Sequence, residues 1–212
     1  MKEKMSESYI QVPADSTGKK VRTKQRTVGA NTVEEQQMYE VELPTYAVGS
    51  SVPAGIADAQ SKVFAALFNG SGSGKIVKIR EIWVMNSKLA AVTGVGMEFD
   101  IDTINSAPTG GTTLAPQKMD SANSAVPAQI VIMEAPSGGA AKVATLFPYF
   151  ASNDEVIGTQ FGAILGNLLA VYPAIAKECQ DVTLREGEGI QVKQITNTTA
   201  GSHYVLIVFT LE

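Results

Sequence analysis

The chain has 212 residues, 44% hydrophobic and only 18% charged, with a formal net charge of −4, which places it among globular folds and away from disordered chains. That length suits one large β-domain, or one domain with an arm. Nineteen glycines beside few lysines and arginines favour short strands joined by many turns and argue against a helical bundle.

The first segment, residues 1–45, reads as an extended basic N-terminal arm. Met1–Ser8 has no apolar stretch, so no signal peptide is expected. Tyr9–Val12 is one short extended piece, Pro13–Lys20 a turn with a basic end, and Val21–Val28 a run in which polar residues interrupt the few apolar ones. Seven basic residues against three acidic ones give residues 1–26 a charge of +4, leaving −8 on the rest. Lys19, Lys20, Arg22, Lys24 and Arg26 are therefore candidate interaction residues, tethering the chain to an acidic neighbour. A solvated, frayed terminus is the competing reading. Met38–Leu43 has strand character and stops at Pro44.

Residues 46–212 are expected to form a β-sandwich domain. Lys62–Phe68 leads through the turn Asn69–Gly74 into Lys75–Asn86, where Val77, Ile79, Trp83 and Met85 share one parity in a core-like pattern. Glu81 breaks that parity, at a bulge or a subunit contact. Gly94–Asp102 alternates cleanly, with Val95, Met97, Phe99 and Ile101 on one face and Glu98, Asp100 and Asp102 on the other. Residues 103–125 form a long polar insertion, followed by short strands at Ala128–Met133 and Val143–Phe147. Thr159–Tyr172 repeats Phe161, Ile164, Leu165, Leu168, Leu169 and Tyr172 at helical spacing, which predicts one short helix or a compact apolar loop. Cys179 stands alone, so it forms neither an intrachain disulfide nor a cysteine cluster, and reads as a small buried filler.

The ending is the clearest strand region. Val182, Leu184, Ile190, Val192 and Ile195 flank the tight turn Glu186–Gly189, and Tyr204–Leu211 is apolar on both parities, so both its faces should be covered. No apolar run reaches about 18 residues, so no membrane span is expected, and the protein reads as soluble and made in a cytoplasm.

Chemistry is approached in several places and not completed. Gly70-Ser-Gly-Ser-Gly-Lys75 has three residues between its outer glycines where a phosphate-binding loop has four, and Ile76 stands where that loop needs Ser or Thr. A strand follows it instead of a helix, so it reads as a turn. His203 is the single histidine, at a strand end, and reads as a surface or hydrogen-bonded polar residue instead of a catalytic base. Glu98, Asp100 and Asp102, about 7 Å apart along one strand face, could contribute to a Ca²⁺ site or form a solvent-facing polar edge, and the strict alternation favours the edge. Sequence-specific nucleic-acid reading is not expected, since only the arm is basic and Tyr9 is its one aromatic residue within residues 1–26.

Three stretches, Tyr9–Thr23 with Val28–Val33, Gly110–Pro116, and Leu184–Ile190 with the closing strand, resemble structural proteins of tailed-bacteriophage virions, most of all capsid decoration (cement) proteins. The resemblance implies a jelly-roll-like antiparallel β-sandwich and assembly as a homotrimer on the capsid. It implies contact surfaces instead of a catalytic motif, with the major capsid protein or other virion subunits as partners; no cofactor and no metal are expected from the residues. Alternatives are a tail, connector or fibre-base component and a carbohydrate-binding β-sandwich module. An enzyme is the weakest alternative, for want of a catalytic constellation.

Overall fold

Short runs of alternating apolar and polar residues, broken by Gly, Pro, Asn and Ser, give each strand one apolar face through the two-residue repeat. The computed structural model describes residues 7–11, 20–28, 31–36, 43–51, 56–86, 95–153, 168–173, 181–197 and 201–212. Among these the regular elements are all strands and their pairings antiparallel, so the fold is all-β. The chain divides into two compact units, Met1–Glu42 and Leu43–Glu212.

In the first unit the segment expected to be extended forms a three-stranded sheet of β1 (Glu7–Gln11), β2 (Lys20–Val28) and β3 (Asn31–Gln36), with β2 in the centre. Main-chain pairing supplies for β2 what a solitary extended strand lacks: partners for its N–H and C=O groups on both edges.

The second unit contains two larger sheets. One runs β10 (Thr112–Thr113), β12 (Ile130–Glu134), β6 (Val63–Asn69), β17 (Glu188–Gln194), β8 (Val95–Ile104) and β14 (Lys142–Asn153). The other runs β11 (Gln117–Lys118), β4 (Thr45–Gly49), β18 (Ser202–Leu211), β7 (Val77–Asn86) and β15 (Leu168–Pro173), with β5 (Ile56–Ala57) pairing β18 and β16 (Val182–Leu184) pairing β7. A small pair, β9 (Pro108–Thr109) with β13 (Gly138–Gly139), completes the set. The chain passes from one large sheet to the other many times, among them between β6 and β7, β7 and β8, β16 and β17, and β17 and β18. The Arg185–Glu188 turn is therefore a crossing between sheets and not a hairpin.

A single apolar interior joins the two sheets: Phe64, Leu67, Phe99, Ile101, Ile132 and Ile190 from one meet Tyr46, Ile79, Ile82, Val205, Ile207 and Phe209 from the other. Phe64 and Phe99 pack edge to face at 5.4 Å, and Tyr46 stacks on Phe209 at 5.5 Å. Ala66, Phe68, Ile104 and Ala140 form a second, smaller cluster beside it. The polar insertion is also built in. Leu114 N–H donates to Ile132 O, Met119 N–H to Thr45 O, and the Tyr46 hydroxyl to Ser124 O, so residues 114–124 tie strand β12 to strand β4.

Three expectations need correction. The apolar parity of β7 does not continue through Trp83 and Met85. The register against β18 skips from Glu81 to Ile79, leaving Arg80 as the extra residue of a bulge, and the core takes Val77 and Ile79 before it and Ile82 and Val84 after it. Trp83 is half-buried, and its indole N–H donates to Glu81 Oε2 at 2.7 Å. The second correction concerns the short helix or compact apolar loop expected over 159–172: its last five residues lie in strand β15, paired with β7, where sheet pairing overrides the helical spacing of Leu168, Leu169 and Tyr172. Residues 154–167 and Cys179 lie outside the described residues. The third is the cover over β18. His203, Val205, Ile207, Phe209 and Leu211 are fully buried on one face, whereas Tyr204, Leu206 and Val208 on the other are half-buried.

Phe99 is fully buried against Phe64 and the His203 ring. Phe99→Ala should cost about 3–5 kcal/mol of unfolding free energy, seen as a lower urea midpoint at unchanged slope. A midpoint equal to that of the parent chain would show that the two sheets are not joined through this ring.

Candidate interaction surfaces

The basic positions of the N-terminal unit sit largely on β2. Lys20, Arg22, Lys24 and Arg26 are alternate residues and so fall on one face of the sheet by the strand repeat. In the register Lys20 lies opposite Gln11, Arg22 opposite Tyr9, and Arg26 opposite Val33, while Lys24 lies between Glu7 and Glu35. Lys19 is outside the described residues. With Glu34, Glu35, Glu40 and Glu42 included, Met1–Glu42 contains seven basic and seven acidic residues and nets zero, whereas Leu43–Glu212 contains ten and fourteen and nets −4. The local excess over residues 1–26 is thus offset within the same unit.

The acidic row on β8 is more enclosed than a solvent-facing edge. Asp102 is fully buried, and accepts from Gln191 Nε2 at 3.1 Å, from the Thr145 hydroxyl at 2.9 Å, and from Lys142 Nζ at 2.8 Å. Lys142 also reaches Asp100 at 3.3 Å. These two carboxylates raise the Lys142 ammonium above its ordinary value, the hydrogen bond to Asp102 contributing most, against a smaller opposing effect of desolvation. The charge that a Ca²⁺ ion would neutralise is met by a side chain from β14, and no group of three metal-ligating side chains occurs among the described residues.

His203 is buried and not at the surface. Its Nδ1 lies 2.7 Å from Asp58 Oδ1, and its ring meets Phe64 and Phe99 edge-on at 6.0 and 5.0 Å. The pair ties the start of β18 to the residue after β5, and the aromatic rings of the facing sheet close over it. His203→Ala should cost about 1–3 kcal/mol, because the buried Asp58 carboxyl loses one of its partners. Replacing both residues, as in His203→Phe with Asp58→Leu, should recover most of the loss. Denaturant titration of both variants checks this, and a double variant no better than the single one would refute the pairing energy.

The Gly70–Lys75 turn has the most specific chemistry. Gly72 (φ 81°) and Gly74 (φ 62°) adopt left-handed backbone, which side chains with a Cβ rarely enter. Their amides converge on one carboxylate: Gly72 N–H donates to Glu186 Oε2 at 3.1 Å and Gly74 N–H to Oε1 at 2.8 Å. Two alternate amides aimed at one point in this way make an anion-binding concavity, while the Ser73 N–H between them turns back to Gly70 O at 3.4 Å. The stretch that lacks the phosphate-loop spacing still binds an anion, and that anion is supplied by the chain's own Arg185–Glu188 turn. Sequence reading missed Glu186 because it lies more than a hundred positions from the glycines. The only local sign was the clustering of small residues at 70–74.

The outer strand β14 is a third surface. Residues 142–146 are exposed, Val143 and Leu146 being 61% and 41% accessible, and residues 143–153 carry no charge. Pro148 and two register shifts against β8 lie within it, features that blunt a sheet edge against uncontrolled pairing.

The amides of Gly72 and Gly74 favour the charged form of Glu186 and hold its carboxyl below the ordinary 4.5, with Ser73 assisting and desolvation opposing. A depressed carboxyl stabilises the fold above its ordinary value and loses that contribution as pH falls through the lowered one. The amide shifts of Gly72 and Gly74, followed by nuclear magnetic resonance, should therefore titrate as pH falls with a midpoint below 4.5. A midpoint at or above that pH, or a profile unchanged in Glu186→Gln, would contradict the contact. No protein-family model, no curated protein and no solved structure matches this chain, so its functional reading rests on these residues.

Proposed function

We propose that the chain is a structural protein of a tailed-bacteriophage virion, a decoration (cement) protein that binds the outer capsid and stabilises the shell. The main support is the separate sheet at the N-terminus. Its twenty strand positions include only five apolar residues, Tyr9, Ile10, Val21, Val28 and Val33. A three-stranded sheet with so little to bury gains stability by lying against another surface. A shell under pressure from packed DNA is strengthened by a protein that spans subunit junctions. Main-chain pairing with a neighbouring sheet edge gives affinity without a deep pocket, and symmetric repetition multiplies weak contacts. The partners in this reading are the major capsid protein or other virion subunits, with the chain itself assembled as a homotrimer.

Mass spectrometry of purified particles, followed by a density map, tests the assignment. Density for the sandwich on the outer head is expected; absence of the chain from particles, or density on the tail alone, would overturn it.

Deleting residues 1–42 should leave the sandwich folded, since its apolar interior is drawn from residues beyond 45, and should abolish or strongly weaken attachment. Replacing Lys19, Lys20, Arg22, Lys24 and Arg26 by Gln should weaken attachment less than the deletion, because the unit nets zero charge. That smaller effect should fade as ionic strength passes about 0.15 M, where the screening length is about 8 Å. Pull-down of each variant on particles checks both, and normal attachment by the deletion would remove the N-terminal unit from the mechanism.

A further inference from the structure

We infer that the Gly70–Lys75 turn is an oxyanion-binding site, of the class that takes a carboxylate or a phosphate, and that Glu186 is its resident ligand. Receptor and ligand are supplied by separate segments, 114 positions apart from Gly72 to Glu186. The two amide bonds are bidentate, one to each carboxylate oxygen, the geometry with which planar oxyanions are recognised.

The receptor is framed without help from Glu186. Gly70 N–H donates to Gln129 O at 2.9 Å, and Asn69 Nδ2 donates to Lys75 O at 2.8 Å and Leu184 O at 3.1 Å. Asn69 itself is fully buried. Lys75 N–H is capped by the Ser73 hydroxyl at 3.2 Å. Removing the Glu186 carboxylate therefore leaves both glycine amides pointing at a vacated position, with their frame intact.

The site is also accessible. Gly72, Gly74 and Glu186 are exposed, and a Cβ built on either glycine would meet nothing within 4 Å. Lys75, the next residue, is exposed and adds a positive charge beside the turn. In the native chain an external anion competes with a tethered carboxylate at high effective concentration. A free solute loses that competition, whereas an acidic side chain held in place by a docked neighbour meets Glu186 on comparable terms.

The test uses the full chain with Glu186→Ala, titrated with inorganic phosphate and, in a separate arm, with acetate, while the Gly72 and Gly74 amide resonances are followed. Saturable shifts confined to residues 70–75 are expected in the variant and absent from the parent chain at the same concentrations. Saturation by acetate and phosphate alike marks a general oxyanion site; saturation by one alone names the class it takes. Adding Gly74→Ala, which forces a side chain into left-handed backbone, should abolish the response. If Glu186→Ala loosens the turn so that these two resonances lose their native positions, recovery on adding phosphate or acetate supports the site and failure to recover overturns it. No saturable shift with the turn intact, or equal shifts in the parent chain, also overturns it.

Discussion

The shared interior between the two large sheets is the constraint on which the Leu43–Glu212 unit depends. Strands β6, β7 and β8 enter opposite sheets in turn, as do β16, β17 and β18, so neither sheet is built from neighbouring hairpins alone. Each sheet obtains its strands from distant parts of the chain, and loop-closure entropy is lost before the long-range pairing returns it. Apolar contact across the gap, with Phe64, Phe99 and Phe209 fully buried, makes that assembly favourable. The Asp58–His203 pair lies within this region, so its polarity is satisfied where water is excluded.

Satisfying charge internally is a recurring feature of the sandwich. Lys142 serves Asp100 and Asp102, Arg80 serves Asp181 beside the bulge it creates, and Lys78 pairs with Glu212. Charges arranged in this way contribute to register and to the choice of edge more than to long-range attraction, because each pair cancels within a few ångströms.

How much of this was legible in the sequence depended on whether the pattern was local. Val95–Ile101 alternates without a break, and strand β8 places Met97, Phe99 and Ile101 in the core as the pattern requires. The β7 pattern misled because one inserted residue, Arg80, reverses every side chain beyond it, and a bulge is set by the partner strand as much as by the bulged one. Leu168–Tyr172 satisfied helical spacing and strand composition equally, and pairing with Met85–Ile82 decided between them. The burial of Asp102 and His203 was hidden for a related reason: their partners Lys142 and Asp58 are 40 and 145 positions away in the chain.

The candidate surfaces follow the same division between local and distant information. The glycines of the 70–74 turn were visible as a near-miss of a phosphate loop, but the donors they present are backbone amides, whose direction depends on φ and not on side-chain identity. Glu186 was visible only as a residue of a tight turn. Their meeting depends on β16 pairing with β7 while β17 enters the other sheet, which brings the Arg185–Glu188 turn to the end of the sandwich occupied by residues 69–75. An anion site assembled from two crossings between sheets is therefore a product of topology. It holds its geometry only while both sheets are in place, which couples the occupancy of an exposed turn to the integrity of the buried interior.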